Sequence, residues 1–135
     1  MYERDYILEL IGEFGRAVSA ALRRAAAGEE QAIEDVETEV AELLELDRSV
    51  ALSLTPDSLV TMMVLSGLGD AVAADVCYAL NRVADLREAA GDTDTAGLRR
   101  LQARAVAESF GCDPTMAPPE LAEIDAELAA QGLGA

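Results

Sequence analysis

The sequence predicts an all-α protein, a compact bundle of five to six antiparallel helices, and three observations carry that expectation. Apolar residues recur at helical spacing almost throughout, and no run alternates with period two for long. Aromatic residues make up only 4% of a chain that is 51% apolar, so the core must come from Ala, Leu, Val, Ile and Met, small or lightly branched side chains that suit closely packed helices. Gly or Pro marks short connections between the periodic segments, which makes consecutive helices antiparallel neighbours. The 135 residues fit a single helical domain over residues 1–135, with no linker long enough to divide it.

The first helix is expected over about Asp5 to Ala27. Its stripe of Tyr6, Ile7, Leu10, Ile11, Phe14, Ala17, Val18, Ala21, Leu22 and Ala25 covers about half the circumference, wider than one neighbour can bury. Acids at its start and Arg16, Arg23 and Arg24 towards its end suit the helix dipole, and Gly28 ends it. A second helix covers about Glu30 to Leu46, with Ile33, Val36, Val40, Leu43 and Leu44 on one side. Leu46 to Leu54 reads as a turn or stub helix. Thr55-Pro56-Asp57 is a start signal: Thr as the cap, Pro in the first helical position, Asp in the first turn. The third long helix then carries Leu59, Val60, Met62, Met63 and Leu65 until Gly67 and Gly69 stop it, with Asp70 able to cap the next. A fourth runs from about Ala71 to Ala90 with Val72, Val76, Leu80, Val83 and Leu86. Asp92, Thr93 or Asp94 caps a fifth that reaches Phe110, with Leu98, Leu101, Ala105 and Val106 inward. Pro118-Pro119 opens a last helix bearing Leu121, Ile124 and Leu128, and the tail from Gly132 to Ala135 is expected to fray.

Charge narrows the function classes. The chain holds 26 acidic and 10 basic residues, all ten of them arginine, for a net charge of −16, and it has no histidine. Without histidine there is no imidazole base, no Ser-His-Asp triad and no histidine-ligated metal. Without lysine there is no phosphate-binding P-loop, and the serines read as turn, cap or surface residues. So acidic a surface repels phosphate backbones, which argues against nucleic acid as a partner. No stretch has the length and apolarity of a membrane-spanning helix, and Glu3, Asp5, Glu9 and Glu13 interrupt any secretory signal. Two cysteines are too few for a disulfide framework. Cys77 falls in an apolar helical stripe, while Cys112 follows Gly111 in a loop, an exposed thiol with no base beside it. These features describe a reduced, cytoplasmic protein, and its lysine-free acidity is equally the mark of adaptation to salt or of genome composition.

Two charged constellations remain. Nine acids and no base lie between Glu29 and Asp47, which reads as a solvated face or as a cation site or docking face for a basic partner. Arg82, Arg87, Arg99, Arg100 and Arg104 gather in the fourth and fifth helices. They predict either a groove for an acidic peptide or internal pairing with the second helix and with Asp85, Glu88 and Asp94.

The 34 residues from Cys77 to Phe110 form two helices around Ala90-Gly91-Asp92-Thr93-Asp94-Thr95-Ala96, a length and turn that resemble a tetratricopeptide unit. Ala84, Ala96 and Ala103 fall where that family needs small residues, and Leu80 and Val83 on its apolar positions. Arg87 and Arg100 stand where an aromatic is usual, and Glu108 replaces the closing proline. One such repeat is not a solenoid, so it is expected as a tetratricopeptide-like hairpin inside the bundle. The opening Asp5-Tyr6-Ile7-Leu8-Glu9-Leu10-Ile11 also resembles that of a family of small uncharacterised bacterial all-helical proteins with a tetratricopeptide-like C-terminal half. That resemblance implies a helical fold and brings no activity and no functional residues.

Glu34-x-x-Glu37 and the segment from Asp75 to Leu80 resemble the magnesium site of all-α nucleotide pyrophosphohydrolases, but Val72 stands where that family's second motif needs its glutamate. The sequence therefore predicts a non-catalytic helical interaction or scaffold module needing no metal or cofactor, with a degenerate magnesium-dependent nucleotide pyrophosphohydrolase as the alternative. The wide stripe of the first helix predicts a homodimer with Ile7, Leu10, Ile11 and Phe14 in the contact.

Overall fold

The computed structural model describes residues 4–133. Among them are seven α-helices and no strand: α1 (Arg4–Ala26), α2 (Gln31–Leu43), α3 (Arg48–Ser53), α4 (Pro56–Ser66), α5 (Gly69–Ala89), α6 (Thr93–Phe110) and α7 (Ala122–Ala130), the last entered through a 3₁₀ turn at Pro119–Leu121. The expected fraying of the tail falls partly on residues 134 and 135, outside the described residues.

Local chemistry sets most boundaries. Gly28, at φ +103°, takes the left-handed conformation that closes α1. Asp47 caps α3 by accepting from the Ser49 N–H at 3.1 Å, Thr55 caps α4 by accepting from Ser58, and Asp92 caps α6 by accepting from Thr95. Two boundaries differ from expectation. The second helix stops at Leu43 instead of continuing to Leu46, because Glu45 adopts a left-handed φ of +57° and turns the chain towards α3. Gly69 is not a helix stop but the first residue of α5. A Cβ at that position would lie 2.6 Å from the Phe110 ring at the end of α6 and 3.1 Å from the Met63 carbonyl, so only glycine lets these elements approach.

One apolar cluster draws on α1, α2, α4, α5, α6 and α7. Helix α5 is its axis. It packs most extensively on α6 and also touches α1, α2 and α4, and every residue from Asp75 to Leu80 is buried. Ala84, Ala96 and Ala103 are all buried, small side chains that let α5 and α6 lie close. Helix α1 buries a narrower stripe than expected: Phe14, Val18, Ala21, Leu22 and Ala25. Helix α6 shows the largest correction. Leu101, expected inward, is 54% exposed, whereas Arg99 and Gln102 are buried.

Replacing Gly69 by Ala is expected to cost about 1–3 kcal/mol by overpacking. The same replacement in a Phe110→Leu background is expected to cost much less, because the ring that the new methyl meets is gone. Urea denaturation of the four chains measures both.

Candidate functional site

Each of the five arginines singled out in the sequence has a carboxylate neighbour. Arg87 and Arg99 converge on Glu37 of α2, which is 1% exposed. Arg87 Nη2 donates to its Oε1 at 2.6 Å, and Arg99 Nε to its Oε2 at 2.9 Å. Arg99 Nη1 also donates to the Leu52 carbonyl at 2.9 Å and to Gln102 Oε1 at 3.0 Å, and Gln102 Nε2 donates to the Leu54 carbonyl at 2.9 Å. The last carbonyls of α3, which have no partner within so short a helix, are thus satisfied by side chains of α6. The cluster ties α2, α3, α5 and α6 together through both oxygens of one carboxylate.

The other three arginines do not join this pair. Arg82 lies 3.1 Å from Asp85 and 3.7 Å from Asp125, with its guanidinium 5.2 Å from the centre of the Tyr78 ring. The Tyr78 hydroxyl donates to Asp125 at 3.1 Å, and burial followed by the Asp125 charge pushes its pKa up. Arg100 reaches Asp85 and Glu88, and exposed Arg104 lies 3.8 Å from Glu108. Arg100 and Arg104 line one cavity of about 290 Å³ together with Glu108 and Cys112, and Arg87 and Arg99 line another of about 420 Å³ together with Arg48, Glu37 and Asp92. The five arginines are thus divided among separate places in the fold, each with an acidic neighbour of the same chain.

Of the residues expected in a dimer contact, Phe14 is 4% exposed, and Ile7, Leu10 and Ile11 are half-buried against the core. The magnesium-site residues do not converge. Glu37 is held by two guanidinium groups, Glu34 lies 3.4 Å from Arg48, Val72 is fully buried, and no group of three or more metal-ligating side chains occurs among the described residues. Cys77 is buried and its thiol is pushed up to about 11, mainly by burial; Cys112, expected to be exposed, is half-buried and shifted the same way.

Three features escaped the sequence reading. Asp75, on the most buried stretch of α5, is 2% exposed and lies beside the Glu120 carboxyl, while its Oδ1 has no hydrogen-bond partner. Burial first, and then the neighbouring carboxyl, raise its pKa strongly, so it is held as the neutral acid. Helix α4 buries only Leu59 and Met63 and leaves Val64 60% and Leu65 74% exposed, with Met62 beside them. The acids of α2 divide. Glu37 is buried, and Glu34 and Asp35 pair with Arg48 and Arg24, whereas Glu39 and Glu42 face Glu13 of α1 across a groove. The signal for α4 was present in the sequence, since Ser58 to Gly69 is its longest run without an ionisable side chain.

Removing one partner of a buried charge pair leaves the other uncompensated, so Glu37→Gln is expected to lower stability by about 3–5 kcal/mol. Glu34→Gln breaks an exposed pair and is expected to cost less than about 1 kcal/mol. Thermal denaturation at one pH compares them. Asp75 gives a pH signature. Folding raises its proton affinity, so the native state holds a proton that the unfolded chain releases above the ordinary carboxylate pKa. Its contribution is full at acid pH and is lost as pH rises through the folded value. Asp75→Asn, which keeps the shape and cannot ionise, is expected to flatten the decline of stability between acid and mildly alkaline pH; an unchanged slope in urea titrations would remove this assignment.

No helix among the described residues is long and apolar enough to cross a membrane. No protein-family model, curated protein or solved structure matches the chain, so its site residues stand on their geometry alone.

Proposed function

We propose that the chain is a non-catalytic helical interaction module that associates with a second copy of itself through α4. One observation carries this reading: α4 is apolar on nearly every side, yet the protein buries only Leu59 and Met63, half-covers Val60, and leaves Met62, Val64 and Leu65 exposed. A helix apolar all round belongs in an interior, and a contiguous exposed apolar face marks a contact surface. The choice of a second copy follows from charge. Two chains of net charge −16 repel at most orientations, and the uncharged run from Ser58 to Gly69 is where they can approach without setting carboxylates against one another.

The closely packed α5/α6 pair, with alanines at its crossing, supports reading this part of the module as a tetratricopeptide-like hairpin. The alternative reading, a magnesium-dependent nucleotide hydrolase, finds no support here, because both oxygens of Glu37 are already engaged by arginine.

In light scattering at about 50 µM protein and 0.5 M salt, where charge repulsion is screened, the wild-type chain is expected at twice its 14.2 kDa mass. Leu65→Glu is expected at the single-chain mass. A monomeric wild-type chain under these conditions overturns the proposal, as does a Leu65→Glu variant that still dimerises.

A further inference from the structure

A groove runs between α1 and α2. Leu10, Phe14, Ala17 and Leu43 form its floor, and Glu13, Glu39 and Glu42 stand along it, around a cavity of about 230 Å³. The floor is apolar and partly open to water. Among the described residues none of the three glutamates has an arginine within ion-pair distance; Arg24 is taken up by Glu29 and Asp35, and Arg48 by Glu34. Glu39 is half-buried, and its carboxyl is pushed above the usual range by burial first and then by Glu42 and Asp35. The three carboxylates therefore sit beside an apolar surface without an ion-pair partner, and Glu39 among them has like charges for neighbours, an arrangement that a cation would relieve.

Two complementarities define the occupant. The floor calls for a large apolar side chain, which a hydrated metal ion does not offer. The rim calls for positive charge, which excludes acidic peptides, phosphates and a second copy of this chain. We propose that this groove docks a cationic amphipathic segment of a partner protein. One apolar side chain of the partner sits on the half-buried Leu10 and Ala17, and lysines or arginines one helical turn to either side meet Glu13, Glu39 and Glu42. The inference is independent of the α4 contact, which lies on other residues.

The test uses fluorescence anisotropy with two labelled peptides of equal length and charge, one of leucine and lysine, the other of alanine and lysine. The leucine peptide is expected to bind at least about tenfold more tightly, because only it fills the floor. Glu39→Gln/Glu42→Gln is expected to weaken it about tenfold, with the fold intact by circular dichroism, because neither carboxylate has a partner to lose. Glu108→Gln/Glu123→Gln removes the same net charge elsewhere and is expected to leave binding unchanged. The Leu65→Glu chain is expected to bind like wild type, so failure of the α4 contact and failure of the groove are separately visible. Equal binding of the two peptides, equal weakening by the two double variants, or displacement of the leucine peptide by micromolar spermidine would each overturn the proposal, the first two by showing bulk attraction and the third by showing a polyamine site.

Discussion

Glu37 is the constraint on which the rest of the arrangement depends. An ionised carboxylate at 1% exposure is tolerated only if its charge is compensated and its oxygens are hydrogen-bonded, and Arg87 and Arg99 do both. Meeting that requirement fixes how α6 is rotated. With Arg99 and Gln102 turned inward to reach Glu37 and the α3 carbonyls, Leu101 is carried to the outer face. The short helix α3 has little packing of its own, and side chains of α6 hold its end. Helix α4 follows directly from that end and lies along α6 by one edge, which is why so apolar a helix keeps its other side uncovered.

The same requirement governs the surface. Arginines that are needed inside are unavailable outside, and several of the others lie beside acids on neighbouring helices, as Arg23 does with Glu127 of α7 at 2.8 Å. What the solvent meets is a large excess of carboxylate interrupted by the run from Ser58 to Gly69, which carries no ionisable side chain. The two proposed contact surfaces are the two kinds of place such a surface leaves: the exposed apolar side chains of α4 beyond Asp57, and a groove where carboxylates border apolar side chains.

Helix content and most boundaries were legible because each rests on a local signal. Thr55-Pro56, Asp92 and Gly28 act within one turn of their own position, and the structure uses them as the sequence suggests. The failures came where distant contacts override local pattern. Leu101 fits an inward stripe on α6 as well as Val106 does, and only the demand of Glu37, 62 positions from Arg99, decides the rotation. Gly69 looks like a helix stop, and its close approach to Phe110 exists only once α5 and α6 have paired. Among the candidate site residues, the alternative of internal pairing for the arginines could be written down from spacing, as Arg82 with Asp85, but Arg87 and Arg99 meeting on one glutamate could not. The burial of Asp75 was likewise invisible, since its partner Glu120 lies in a turn far along the chain.

Ionic strength acts on the two proposed surfaces in opposite directions. Repulsion between copies of a chain with net charge −16 is long-ranged, and it fades once the screening length falls below about 10 Å, near 0.1 M salt. The proposed contact through α4 rests on uncharged side chains, and screening of Asp57 and of the net charge strengthens it. Attraction of a cationic segment to Glu13, Glu39 and Glu42 is weakened by the same screening, and only the part due to the groove's apolar floor persists. The two proposals therefore predict self-association favoured in strong salt and uptake of a basic partner favoured in dilute salt. On them, the large net charge acts less as a determinant of either contact than as the balance between them.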